Sequence, residues 1–317
     1  MQHSFHRNFL HTFFGILAIM LIGHATSQTP LEKKIKAKPR FVKEFEPHKI
    51  VGNLFYVGGY DLASFLLTSD EGHILINTGM VGYEDQLISN ISELGFRVSD
   101  IEILLVTQAH YDHVGSLATL QRISGAHVYA TKHDAPILES GGLTDPYFGP
   151  ARRCLFERVT VKREVVHNGI IRLGSIALSV HEHPGHTRGS ASYSITIWDD
   201  DESYEVAIIN LPIVNNSDPI CGVDGKKLIF NSTYPGIADD FFMTFKRLKK
   251  MSPDIWVAAH AKHYGLHEKY STGSPYSAQT FLDPEGFHIA IKAREKVFMT
   301  RLLHQIAAKA SPLLTEK

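Results

Sequence analysis

The six residues Gln108-Ala109-His110-Tyr111-Asp112-His113 follow directly on the apolar run Ile101–Thr107, and no other junction restricts the fold of this chain as much. A short apolar run bounded by loop residues reads as a buried strand. Four potential metal ligands, Gln108, His110, Asp112 and His113, are thus crowded onto the loop that leaves it. Side chains so close in sequence turn toward one centre only where the backbone turns tightly, as it does at a strand end. Nitrogen and oxygen donors without thiolate suit zinc. A metal held with one position open brings the pKa of bound water from about 15.7 to about 7, which makes a nucleophile at neutral pH.

The remaining histidines gain meaning from that cluster. His181-Glu182-His183-Pro184-Gly185-His186-Thr187-Arg188-Gly189-Ser190 joins two expected strands through a turn rich in Pro and Gly, and His260 ends the expected strand Ile255–Ala259. Paired with the first cluster, His186 and His260 become ligand candidates. His263 is the alternative to His260, whereas His181 and His183 are expected to orient neighbours or face solvent, and His267 to open a helix. Asn77-Thr78-Gly79 ends another expected strand, where glycine lets the backbone pass close to a neighbour. The loop Gly141–Phe148 carries Tyr147 and Phe148, which either shield a ligand from water or pack as ordinary loop aromatics.

Among 317 residues, 44% are hydrophobic and 21% charged, enough for one large core. A net charge of -1 gives no electrostatic reason for a nucleic acid or anionic membrane partner, so a small, weakly charged substrate is expected. Residues 1–27 read as a secretory signal: Arg7, the apolar run Phe13–Gly23, then Ala25-Thr26-Ser27. That run is shorter than the roughly 20 residues a membrane helix needs, so no span is expected after cleavage. A basic, mobile segment is expected over 28–44, and one catalytic domain over 45–317. Cys154 and Cys221 lie in no metal-spaced stretch, and spacing alone does not bring them together, so both are expected to be free and structural.

The pattern predicts strands at Val51–Val57, Ala63–Leu67, His73–Asn77, Ala126–Ala130, Val159–Val165, Ile170–Leu173, Ile176–His181, Ser190–Ile197 and Tyr204–Ile209. Helices are predicted at Glu84–Gly95, Ser116–Ile123, Phe241–Lys250 and Glu285–Ala310. The order, β-rich then αβ and the same again, suggests two sheets packed face to face with helices outside both.

Three motifs in order, residues 108–113, Gly185-His186-Thr187-Arg188-Gly189-Ser190 and His260, resemble those of the metallo-β-lactamase superfamily, and more narrowly of class B, subclass three, the zinc β-lactamases. The GOB-type branch is similar in carrying Gln in the first ligand position, Asn-Thr-Gly for Asp-Thr-Gly, and a tail like Trp256–His260 followed by Leu266–Lys269; Tyr60–Ser64 also agrees with it. The resemblance covers roughly Phe45–Ala310. It implies an α/β fold, an αββα sandwich of two mixed sheets, with up to two zinc ions in an edge groove. One would take Gln108, His110 and His186; the other would take Asp112, His113 and His260. It further implies an exported, periplasmic monomer that opens β-lactam rings with metal-activated water, Asp112 handling a proton. Because an amide oxygen is a weaker zinc ligand than imidazole, the Gln108 site should be the weaker. Lactonases and thioesterases of the superfamily compete with that reading, as does a non-catalytic zinc-binding protein. Those other hydrolases resemble one another in a bridging Asp where this chain has Ile209-Asn210-Leu211-Pro212, with Asp218 and Asp224 further along.

Overall fold

The computed structural model describes residues 33, 36–229 and 232–314. The expected signal over 1–27 lies outside the described residues. Strands β1 (His48–Val51), β2 (Leu54–Tyr56), β3 (Phe65–Ser69), β4 (Gly72–Ile76), β5 (Ile101–Leu105), β6 (His127–Thr131) and β7 (Val161–Val165) form one sheet in sequence order. The second sheet runs β12 (Ile255–Ala258), β11 (Glu202–Ile209), β10 (Ala191–Asp199), β9 (Ile176–Glu182), β8 (Ile170–Leu173). Both are mixed: β4 to β7 run parallel after an antiparallel meander, and β11 pairs parallel with β12.

Alternation along the strands explains the layers. Phe65 and Leu67, Ile74 and Ile76, Ile103 and Leu105 face Val180, Tyr193, Ile195 and Val206 of the second sheet in one buried cluster. Their intervening neighbours Leu66, Leu75 and Leu104 face outward onto Leu87 and Ile91 of α1 (Glu84–Glu93) and Leu117 and Leu120 of α3 (Leu117–Ser124). On the far side, Phe241 of α5 (Ile237–Leu248) stacks on Phe298 of α7 (Pro284–Leu314) and Phe245 packs tilted against it, over the second sheet. The result is the αββα sandwich.

Several boundaries differ from the sequence reading. The strand expected over Val51–Val57 is the shorter β2, because Gly52, at φ 48, reverses the chain there and makes Val51 the end of β1. The short helices α2 (Tyr111–Val114) and α4 (Ala135–Glu139), each little more than a turn, fall below any detectable period. α6 (Leu266–Lys269) is likewise a single turn. Within the segment expected to be mobile, Pro39–Phe41 forms a 3-10 turn whose Phe41 is buried.

The cysteines are not free. Cys154 and Cys221 are joined in a buried disulfide with Cα atoms 5.4 Å apart, a pairing that a sequence separation of 67 concealed. It ties the loop carrying Tyr147 and Phe148 to residues 214–224. Cys154→Ser is expected to cost about 2–4 kcal/mol, because the bond removes the closure entropy of a long loop from the unfolded chain. Urea unfolding with and without reductant checks this: the wild type should fall to the variant's midpoint on reduction.

Candidate metal centre

The C-terminal ends of β4, β5, β9, β11 and β12 all reach one edge of the sandwich, because the sheet pairings run these strands in matching directions within each sheet. Two short braces hold the sheets together there: Ala191 N–H donates to Thr107 O (2.9 Å) and the Tyr193 hydroxyl to Val106 O (2.7 Å). Between them opens a groove of about 690 Å³ lined by Gln108, His110, Asp112, His186 and His260, with Tyr147, Phe148 and residues 213–220 on its walls.

Each ligand candidate is held by its loop. Asn77, buried at φ 63, accepts the Thr107 N–H on its Oδ1 (2.9 Å). Thr78 N–H donates to His113 O (2.7 Å) and Gly115 N–H to Gly79 O (2.8 Å), so the Asn-Thr-Gly turn buttresses the metal loop. Gly79 sits at φ 65 with the Tyr83 ring where a Cβ would lie, 2.3 Å away, so a larger residue has no room. Asp134, buried, joins the two histidine loops. Its carboxylate accepts Ala109 N–H (2.9 Å), the Thr187 hydroxyl (3.0 Å) and Gly189 N–H (3.0 Å). Burial pushes this carboxyl up to about 7 while those bonds pull the other way.

The structure brings all six predicted residues together, in two adjacent groups. In one, His110 Nδ1 and His186 Nε2 are 3.2 Å apart. Gln108 lines the same groove, buried, and its Oε1 has no hydrogen-bond partner. In the other, ligand atoms of Asp112, His113 and His260 lie within 4.8 Å of one another, the Asp112 Oδ2 being 3.7 Å from His113 Nε2 and 3.8 Å from His260 Nε2. Among the described residues this is the one group of three His, Cys, Asp or Glu with that convergence.

The proton positions test whether a cation fits. His186 Nδ1 lies 2.8 Å from Ile213 O, which can only accept, so the proton sits on Nδ1 and Nε2 presents a lone pair. His110 Nε2 lies 3.4 Å from a carboxylate oxygen of the buried Asp145 without a hydrogen bond to it, and its Nδ1 is turned toward His186 Nε2. The His186 lone pair therefore meets His110 Nδ1 at 3.2 Å, a spacing that either one shared proton or one cation against both nitrogens satisfies. Two imidazole nitrogens on one tetrahedral zinc are separated by about 3.3 Å at ordinary bond lengths. Burial holds His110 well below the usual histidine range and brings His186 to about 3 and His113 to about 4, so these imidazoles are neutral and free to ligate. Burial works against ionising Asp112, but His113 and His260 outweigh it and keep its carboxyl below the ordinary value. The donor set fits a divalent cation such as zinc.

His263 lines the groove with its ring 4.8 Å from that of His260, outside the group of three. His181 and His183 lie within hydrogen-bond distance of Ser194 Oγ (2.7 Å) and Ser192 Oγ (2.8 Å), away from the groove. His267 donates to Tyr60 O (2.7 Å) and stacks on that ring. The sequence reading missed Asp61, Asp134, Asp145 and the buried Lys226, whose Nζ donates to His186 O. Asn210 directly follows β11, is buried, and donates its N–H to Ser192 Oγ (3.0 Å); Asp218 lies on the groove wall.

Residues 58–203 match the model of the Metallo-beta-lactamase superfamily. The chain is 39% identical to the metallo-beta-lactamase GOB-18 from Elizabethkingia meningoseptica, with a TM-score of 0.77 over 84% of this chain and 95% of that one. To the class B3 di-zinc metallo-beta-lactamase LRA-12 from an Alaskan soil metagenome it is 36% identical, with a TM-score of 0.76 over 82% of this chain and 96% of the other. A hydroxyacylglutathione hydrolase of Bradyrhizobium sp. is 26% identical over 74% of this chain and 75% of its own length. Sequence motifs, sandwich and groove agree with these matches, and the chain belongs to the metallo-beta-lactamase superfamily.

Proposed function

We propose that the protein is a zinc-dependent hydrolase of β-lactams, with Gln108, His110 and His186 holding one zinc and Asp112, His113 and His260 the other. The observation that carries this reading is the convergence of two ligand groups side by side at the foot of one groove. What favours a β-lactam over a thioester is twofold. Identity is highest, among the proteins compared above, to β-lactamases over nearly their whole length. The strand end where the thioesterases are expected to carry a bridging carboxylate has the amide Asn210.

Bound zinc supplies Lewis-acid polarisation of the amide carbonyl and a water acidified to near neutrality. The chain's own residues do the rest. Arg294, half-buried on the groove, makes no ion pair or hydrogen bond among the described residues, and is the group that receives the carboxylate of the substrate. Lys262 adds a second cation on the same wall. Phe148 meets the His110 ring edge-on and Tyr147 lies tilted beside it, so that together they keep bulk water from that side. Asp112, ionised, would take on its carboxylate the proton given up by the attacking water and pass it to the amide nitrogen as the C–N bond breaks and the ring opens. Export to an oxidising compartment is part of the proposal, supported by the Cys154–Cys221 bond and by the composition of residues 1–27.

Purified protein assayed with a penicillin, a cephalosporin, a carbapenem and a glutathione thioester, with and without chelator, tests the reading. Chelator-sensitive β-lactam turnover is expected; thioester turnover alone would overturn it. Zinc titration should show one tight and one weaker site, since the amide of Gln108 is neutral and a poorer donor. Gln108→His is expected to raise the metal content of the weaker site, and two equally tight sites in the wild type would contradict the assignment.

A further inference from the structure

We propose that Asp61, clamped by Arg40, is the positioning residue of His260, so that the segment preceding β1 is a working part of the metal centre. The inference rests on the metal-binding reading above and extends it to residues on which that reading does not draw.

The backbone brings the pair together. Leu62 and His260 form an antiparallel bridge, flanked by Ala261 N–H donating to Asp61 O (2.8 Å) and Ala63 N–H to Ala259 O (3.1 Å). Asp61 therefore stands beside His260 by register. Its side chain is only 3% exposed, and Oδ1 faces His260 Nδ1 at 3.7 Å. No hydrogen-bond partner reaches His260 Nδ1. A neutral imidazole carries one proton. On Nδ1 it faces a carboxylate; on Nε2 it would point at Asp112, 3.8 Å away, and remove the lone pair a metal needs. Asp61 selects the first arrangement.

A carboxylate buried this deeply needs compensating charge. Arg40 Nε lies 3.0 Å from Asp61 Oδ2, and Lys262 Nζ 3.8 Å from the same oxygen. Arg40 comes from the Pro39–Phe41 turn, and the next residue, Phe41, is buried with its ring 5.8 Å from that of His260. Charge and packing from one turn thus converge on one imidazole. His186 has an outward acceptor of its own in Ile213 O and His110 Nε2 lies 3.4 Å from Asp145, but neither depends on a residue so far from the sandwich in sequence.

The test loads the full chain with zinc and challenges it with a chromophoric chelator. Loss of an outer partner to a metal-bound histidine lowers affinity by about 10–100-fold. Asp61→Leu is expected to weaken the tighter zinc by that factor, and Asp61→Asn, which keeps an acceptor oxygen, to fall between it and wild type. Arg40→Ala should weaken the same zinc by a smaller factor, with Arg40→Lys restoring most of the loss. In the zinc-loaded protein the His260 Nδ1 proton should give a downfield, slowly exchanging NMR signal that Asp61→Leu abolishes, a readout that general loss of stability does not move. Should the Asp61 variants fail to fold, Arg40→Ala at a half-exposed side chain decides alone. Unchanged zinc affinity in the folded variants overturns the proposal. A wild-type chain that binds no zinc overturns the metal reading with it, whereas one that binds zinc without hydrolysing β-lactams leaves this test intact.

Discussion

Asp112→Ala is expected to lower nitrocefin turnover by about 10³-fold or more, with the fold retained. The proposed second zinc has three protein ligands here, and Asp112 is the one that carries charge; without it only the imidazoles of His113 and His260 remain. The polarisation lost with the metal is worth several kcal/mol of barrier, which is where the factor of about 10³ comes from. The same substitution removes the proposed proton carrier. Folding should survive because the loop is held by backbone bonds, Thr78 N–H to His113 O and His113 N–H to His110 O, rather than by the Asp112 carboxylate. Turnover, zinc content by elemental analysis and far-UV circular dichroism check the three parts separately. His260→Ala should behave in the same way, while Gln108→Ala, which removes the weakest donor, should cost less. A folded Asp112→Ala protein that keeps wild-type turnover would sink the assignment of the site.

What the sequence disclosed follows from where information is local. The metal loop was legible because its donors lie within six residues of one another, directly after an apolar run, and His186 and His260 because each also follows a strand. The sheets were legible where apolar and polar residues alternate, as over Tyr193–Ile197 of β10. The β1–β2 hairpin was not, although Gly52-Asn53 marks its turn, because the strands on either side are only four and three residues long. Asp61, Asp134 and Asp145 left no trace, because a single buried carboxylate has no spacing; its meaning lies in partners that the chain reaches only on folding, such as Gly189 for Asp134. The disulfide was hidden for the same reason. The basic composition of residues 28–44 suggested mobility and concealed one anchoring aromatic, Phe41.

Asp134→Ala is expected to destabilise the fold by about 3–6 kcal/mol and to separate the two histidine loops. Three buried donors converge on this carboxylate; the Thr187 hydroxyl can turn to Ser190 Oγ at 2.8 Å, but Ala109 N–H and Gly189 N–H would be stranded, and each donor left without an acceptor costs about 1–3 kcal/mol. Water is poorly placed to replace the oxygens, since a Cβ on Gly189 would already lie 2.4 Å from Asp134 N and the residue is 1% exposed. Ala109 sits between Gln108 and His110, and Thr187 follows His186, so loosening this knot moves the His110–His186 pair, now 3.2 Å apart, and with it the weaker proposed zinc. Thr187→Val removes one of the three bonds and should cost only about 1 kcal/mol. Asp134→Asn should fall between, because its amide NH₂ must face at least one donor that the carboxylate accepted. Urea unfolding midpoints order these variants, and zinc content reports the site. An Asp134→Ala protein within about 1 kcal/mol of wild type, below the cost of even one stranded donor, would show that the loops are joined by something other than this carboxylate.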